Sequence, residues 1–289
     1  MNSRRYAVAL AWLCASLGVH GSDKPPLESP WDAHLVNATD APYNCPAARE
    51  LPHNFATNSY YIDEHHSVTD PALKKKYEDS VKGIGDFSRA VVKAADAYQT
   101  TGSRAAAQCV FTLLGSVAEQ KVLTGRMDGG QASYVQGWNL GAWTVAYLKV
   151  RSSGLASPHQ ARAITAWLEK LAEENRDYYD DKRQHHRPND SDNNHVYGAG
   201  FAIAAAGIAN DDRKLFGWGV DAYRHGVSYI QPDGTLPLEM ERGQMALDYH
   251  LYALAPLIML AEFGERNGLK LLYGAEWLNY TMLGGLPPP

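Results

Sequence analysis

The chain has 289 residues, 45% hydrophobic and 20% charged, which supplies apolar material for one large core and rules out a disordered polyelectrolyte. Its formal net charge of -5 gives no global basic field, so nucleic acid is not expected as a partner, and a polyanion would have to be met by a local cationic cleft. After the N-terminal leader no segment reaches about 18 uninterrupted apolar residues, so no membrane insertion is expected once the leader is removed.

The first 21 residues read as a secretory leader: Arg4 and Arg5 form the charged start, YAVALAWLCASLGV the apolar stretch, and Val19, His20 and Gly21 a region for cleavage. The mature protein is therefore expected in the periplasm or outside the cell. Cys14 leaves with the leader, and Cys45 and Cys109 remain. In an oxidising compartment their expected fate is one disulfide, with two separate buried thiols as the other reading.

Residues 22–69 are rich in Pro, Asn, His and Asp and hold no sustained period, as an extended arm would. At Asp70 the character changes. Asp70 and Pro71 form a helix start, and Val81, Ile84, Phe87, Val91 and Ala95 recur at helical spacing. Further helices are predicted over about 103–124, 132–151, 157–178, 194–209, 212–230 and 243–266, separated by Gly, Pro, Asp and Ser. Several are apolar on more than one face, and no heptad or short repeat is present. The predicted class is all-α: residues 70–289 as an incomplete (α/α) toroid built from helical hairpins, with a compact bundle as the alternative.

Four polar residues in apolar helical surroundings stand out. Asn194 and His195 open a predicted helix, where the positive end of the helix dipole favours an anion such as a carboxylate. Arg242 and Tyr249 are seven residues apart, close to two turns, and so are expected on one helix face with Glu239 and Tyr252 nearby. The structural alternative is a Glu239–Arg242 ion pair at a helix start, with tyrosines that merely pack. The segment QASYVQGW adds Gln131, Tyr134, Gln136 and Trp138 as candidate sugar-binding groups, against the reading that they are core. His185, His186 and His195 match no HExxH or paired CxxC spacing, so neither a metal nor another cofactor is expected.

With these residues in view, the chain resembles the alginate lyase family, the helical polysaccharide lyases typified by periplasmic poly(mannuronate) lyase. The similarity is carried by NNH at 193–195, LFGWGVDAYRHGVSYIQPDGTLPLE at 215–239 and ERGQMALDYHLYALAPLIMLAEFGERNG at 241–268. It extends to CPAA at Cys45, VTDPALKKKY near Asp70, AAAQCVFTLL around Cys109 and YVQGWNLGAWTVAYLKVR at 134–151.

The resemblance implies an α/α toroid that cleaves a 1,4-linked polyuronate, mannuronate-rich alginate foremost, by β-elimination to 4,5-unsaturated ends. In that chemistry Asn194, His195 and Arg242 neutralise the uronate carboxylate, and Tyr249 moves protons at C5 and O4. A phenol is a weak base at neutral pH, so Arg242 or His195 would have to favour its phenolate, or His195 would have to share the abstraction. The implied partner is an anionic polysaccharide, and the protein is expected to act as a monomer. The family carries a cleft lysine on an N-terminal lid, whereas the corresponding FATNSYYIDEHHS has none and offers Tyr60, Tyr61, His65 and His66 instead. The ending YGAEWLNYTMLGGLPPP is shorter than the family's usual helical continuation. Three other readings stay open: a glucuronan or other polyuronate lyase, a glycoside hydrolase using Glu239 with Asp192 or Asp248, and a non-catalytic polysaccharide-binding protein.

Overall fold

The computed structural model describes residues 25–185 and 192–271. The leader reading at 1–21, His186 and the C-terminal segment 272–289 lie outside these residues. Asp70 accepts the Leu73 N–H at 2.8 Å with Pro71 in the first turn, and α1 runs Pro71–Thr101. It stops at Gly102, whose φ of 72° and whose missing Cβ, which would fall 1.9 Å from the Asn37 carbonyl oxygen, both require glycine. Ser103 caps α2, Arg104–Glu119, and α3 follows at Gly130–Val150. Ser157 caps α4, Pro158–Gln184, Asn193 caps α5, Asn194–Asn210, and Asp212 caps α6, Arg213–Ser228.

The expected helix over 243–266 is present, with its first turn 3-10, and a separate single turn precedes it. A single turn, α7 (Pro237–Met240), leads through the 3-10 turn Gly243–Met245 into α8, Ala246–Arg266. The only strands among the described residues are two-residue pieces, β1 (Phe55–Ala56) and β2 (Met127–Asp128), paired in parallel.

Helices α1, α3, α5 and α8 pack in succession as an inner row, while α2, α4 and α6 return along the outside. This is the α/α toroid, built of hairpins whose inner members begin at one end of the molecule. The central helix α5 is buried on nearly every side, which explains its run of alanine and glycine. A Cβ on Gly200 would lie 2.5 Å from that of Ala222, and one on Gly219 would lie 2.5 Å from that of Ala204, so α5 and α6 approach almost backbone to backbone. That fit sets the height at which α5 delivers its first turn. Trp143 of α3, fully buried, meets Phe87 of α1 edge-on and donates to Ser88 Oγ at 2.8 Å.

The segment before α1 runs over these helices rather than through them. Leu27 donates to Asp211 Oδ1 at 2.8 Å, Asp32 pairs with Arg151, and the Thr39 N–H donates to the Gly102 carbonyl at 2.8 Å. Cys45 and Cys109 form a disulfide with a Cα–Cα distance of 5.4 Å, fastening the arm to α2. Beyond β1 the chain turns back at Asp63, whose carboxylate accepts the Ser67 and Val68 N–H groups, and Tyr60 and Tyr61 are left over the open end of the inner row.

Candidate active site

A cavity of about 1020 Å³ opens where the inner helices begin. Thr69 and Lys74 face it from the start of α1, Gly129 to Gly141 from α3, Asn194 to Phe201 from α5, and Met245 to Met259 from α8. Tyr60, Tyr61 and His66 cover it from the arm. The first turns of α1, α3, α5 and α8 therefore contribute to one space, and each N-terminus adds positive potential. Among the described residues the lining contains no Asp or Glu.

At the start of α5, Asn193 accepts the His195 N–H at 3.0 Å, and the Asn194 N–H donates to Glu239 Oε1 at 2.7 Å. The His195 ring stacks on Tyr134, with centroids 4.0 Å apart and planes at 14°, and Trp138 lies 6.2 Å away at 23°. The imidazole is thus held in a plane set by α3 while its own helix start faces the cavity.

Arg242 and Tyr249 meet, but not as two positions on one helix. Arg242 sits in the turn between α7 and the 3-10 segment, and its guanidinium carbon lies 4.5 Å from the centre of the Tyr249 ring on α8. The irregular turn shortens the path that two helical turns would have taken. Both residues also touch the arm: Arg242 Nη1 donates to the His65 carbonyl at 3.2 Å, and the Tyr249 and Tyr61 hydroxyls share a hydrogen bond at 2.9 Å. Tyr61 continues through Tyr60, 4.6 Å between centroids, to Tyr77 of α1 at 4.9 Å.

Burial pushes the Tyr249 hydroxyl above the usual phenol range, and the Tyr61 contact and the Arg242 charge offset only part of that rise. Burial likewise pushes Tyr61 up to about 12. At neutral pH Tyr249 is therefore a phenol in the resting site. Arg242 alone does not hold it as phenolate, contrary to one of the two ways in which its reactivity was expected to arise.

Of the residues singled out from sequence, Asn194, His195, Arg242, Tyr249, Tyr60, Tyr61, Gln131, Tyr134, Trp138 and Tyr252 all line the cavity. Two do not. Gln136, 2% exposed, points between α3 and α4, where its amide donates to the Leu123 carbonyl and to Glu174. The same turn of α3 sends Trp138, 46% exposed, toward the cavity, because positions two apart on a helix face different ways. Glu239, 1% exposed, lies behind the wall, holding the α5 backbone instead of reaching a ligand. The acid pairs considered for hydrolysis are also absent from the cavity: Asp192 binds His225 at 2.8 Å, and Asp248 is exposed on the outside of α8.

Lys74 was not anticipated. The cavity has a lysine, carried by the first turn of α1 rather than by the lid, and the run LKKKY gave no sign of which lysine faces inward. His66 faces the cavity from a left-handed backbone position, φ 51°, in the Asp63 turn. His185 caps the end of α4 and is exposed, and no group of three or more His, Cys, Asp or Glu among the described residues is arranged to hold a metal.

An α/α toroid whose aromatic cavity, acid-free among the described residues, couples a guanidinium, an imidazole, an amide and a phenol is the framework of a polysaccharide lyase. The chain belongs to the alginate lyase family, whose family model matches residues 54–277. It is 39% identical over 237 residues to a polysaccharide lyase of Stenotrophomonas maltophilia, covering 81% of this chain and 69% of that one. To an alginate lyase of Pseudomonas putida it is 31% identical over 260 residues, covering 87% and 68%. Among solved structures, alginate lyase A1-III from Sphingomonas species A1 superposes with a TM-score of 0.69 at 22% identity, over 89% of this chain and 73% of that one. A histidine-to-alanine variant of that lyase complexed with a tetrasaccharide gives 0.72 at 22% identity, over 89% and 72%.

Proposed function

We propose that this lyase cleaves 1,4-linked polyuronate, mannuronate-rich alginate foremost, by β-elimination in the cavity at the inner helix starts. The observation that carries the reading is the Arg242–Tyr249 pair, 4.5 Å from guanidinium to ring, in a cavity that also receives Asn194 and His195. Relatives bearing the names alginate lyase and polysaccharide lyase, and an A1-III structure holding a tetrasaccharide, support the substrate class.

The C5 proton of a uronate is weakly acidic because its neighbouring carboxylate is already negative. Arg242, the Asn194 amide and the positive end of α5 lower that penalty by meeting the carboxylate and the charge that grows on it in the transition state. The C5–H pair then forms the C4–C5 double bond, the C4–O bond breaks, and the departing O4 takes up a proton. Since Tyr249 rests as a phenol, it gives its proton to O4, and His195 shares the work by accepting the one from C5. In mannuronate both groups leave from one face of the ring, so acceptor and donor must reach it from one side.

A cavity free of carboxylic acids among the described residues argues against the hydrolase reading, which needs an acid and a base across the bond. The disulfide agrees with export to the periplasm or beyond. The test is product chemistry: elimination gives ends absorbing in the ultraviolet, one for each new reducing end. Reducing ends without absorbance would establish hydrolysis, and polymer retention without either would establish a binding protein.

A further inference from the structure

Behind the site, two buried oxygens lack hydrogen-bond donors: Glu239 Oε2 and Asn194 Oδ1. They belong to residues already joined, because the Asn194 N–H donates to Glu239 Oε1 at 2.7 Å. Glu239 is 1% exposed and Asn194 8%, so water is not an ample substitute, and an acceptor buried without a donor is costly. A carboxylate would leave both oxygens as they are. A carboxylic acid would carry one donor, on Oε2, and Asn194 Oδ1 is the neighbouring residue's buried acceptor without one.

We propose that Glu239 is a positioning residue that works as a neutral acid, its Oε2–H donating to Asn194 Oδ1 and so aiming the Asn194 amide N–H groups into the cavity toward a uronate carboxylate. This rests on the polyuronate reading given above. The opposite amide orientation, with N–H toward an ionised Glu239, would present a carbonyl oxygen to an anionic substrate and repel it.

The surroundings agree. The groups facing Glu239 are Arg242 from its own turn, Tyr197 from α5 and Tyr249 from α8. Arg242 is the one cation among these and favours ionisation, as does the Asn194 N–H, yet burial outweighs both and raises the acid to about 7. Neutral Glu239 therefore prevails below that pH and is lost above it. Ionisation would place a second negative charge beside the Arg242 guanidinium that the substrate carboxylate needs.

Glu239→Gln separates this role from generic packing. The glutamine carbonyl keeps the bond from the Asn194 N–H, its amide supplies the donor to Asn194 Oδ1, and it cannot ionise. Its kcat/KM below neutral pH should stay within about threefold of the parent, whereas Glu239→Ala should lose about a hundredfold, the scale of losing a preorganised donor. The alkaline fall of the parent near pH 7 should be shifted upward or abolished in Glu239→Gln.

A second readout needs no substrate. A carboxyl raised from 4.5 to about 7 binds more protons folded than unfolded, so its contribution to stability declines as pH rises through that window. The Tm of Glu239→Gln minus that of the parent should therefore increase from pH 4.5 to 7 and level off above. A Glu239→Gln variant as inactive as the alanine variant, or one with the parent's alkaline limb unchanged, would overturn the proposal, as would a Tm difference flat with pH. If the parent gives no unsaturated ends at any pH, the polyuronate reading fails instead, and the Tm series still decides whether Glu239 is held neutral.

Discussion

The two walls of the cavity are built differently. On one side α3 and α5 present Trp138, Tyr134, His195 and Asn194 from helix starts packed into the core, with His195 stacked 4.0 Å from Tyr134. On the other, Tyr60, Tyr61 and His66 come from irregular chain, and the arm meets the second half of the chemistry through single hydrogen bonds, the His65 carbonyl to Arg242 and the Tyr61 hydroxyl to Tyr249. The helical wall is fixed by buried area that changes little on binding. The arm is fixed by a few polar contacts and by the disulfide farther back, so substrate can replace its bonds to Arg242 and Tyr249 at small cost.

This contrast is sharpest at Tyr249. Tyr249→Phe removes the proton donor and little volume, and kcat should fall by about a thousandfold or more, with polymer binding measured by calorimetry nearly unchanged. A variant with parental kcat would shift the proton chemistry away from α8. Arg242→Ala comes next: it removes the cation from ground state and transition state alike, so KM should rise while kcat falls by about a hundredfold in steady-state kinetics. A change in KM alone would make Arg242 an anchor only.

On the arm, Tyr61→Phe removes one hydrogen bond to Tyr249, worth about 1 kcal/mol, so kcat/KM should change by about fivefold. A loss as large as that of Tyr249→Phe would mean that the arm takes part in proton transfer. The smallest effect on activity is expected at Gln136. Gln136→Ala should leave KM within error while costing about 1–3 kcal/mol in denaturant unfolding, because it strands the buried Leu123 carbonyl and takes one partner from Glu174.

The helical wall was the more legible half from sequence. Asp70–Pro71, the apolar run of α5 and its polar start each follow a local rule of capping or burial that a sequence displays directly. The arm obeys no such rule. Its path is set by long-range contacts such as Leu123 N–H to the Pro52 carbonyl and Tyr61 to Tyr249, and nothing in FATNSYYIDEHHS announces them.

Arg242 and Tyr249 were brought together for a partly mistaken reason. The helix breaks at Gly243, whose φ is 55°, and the break brings the guanidinium over the ring. Glu239 and Gln136 read from sequence as ligands for substrate, but chain proximity to a site does not reveal which way a side chain points. Lys74 gives no signal in sequence, since three consecutive lysines look like a solvated surface, and only the mouth of the cavity distinguishes one of them.

The most direct measurement is ultraviolet absorbance of products from polymannuronate, polyguluronate and glucuronan, run in parallel against a reducing-end assay on the same samples. The expected result is unsaturated ends in equal number to reducing ends, formed fastest from polymannuronate and absent with Tyr249→Phe. Reducing ends that accumulate without absorbance, or unsaturated ends produced as readily by Tyr249→Phe, would contradict β-elimination by the Arg242–Tyr249 pair.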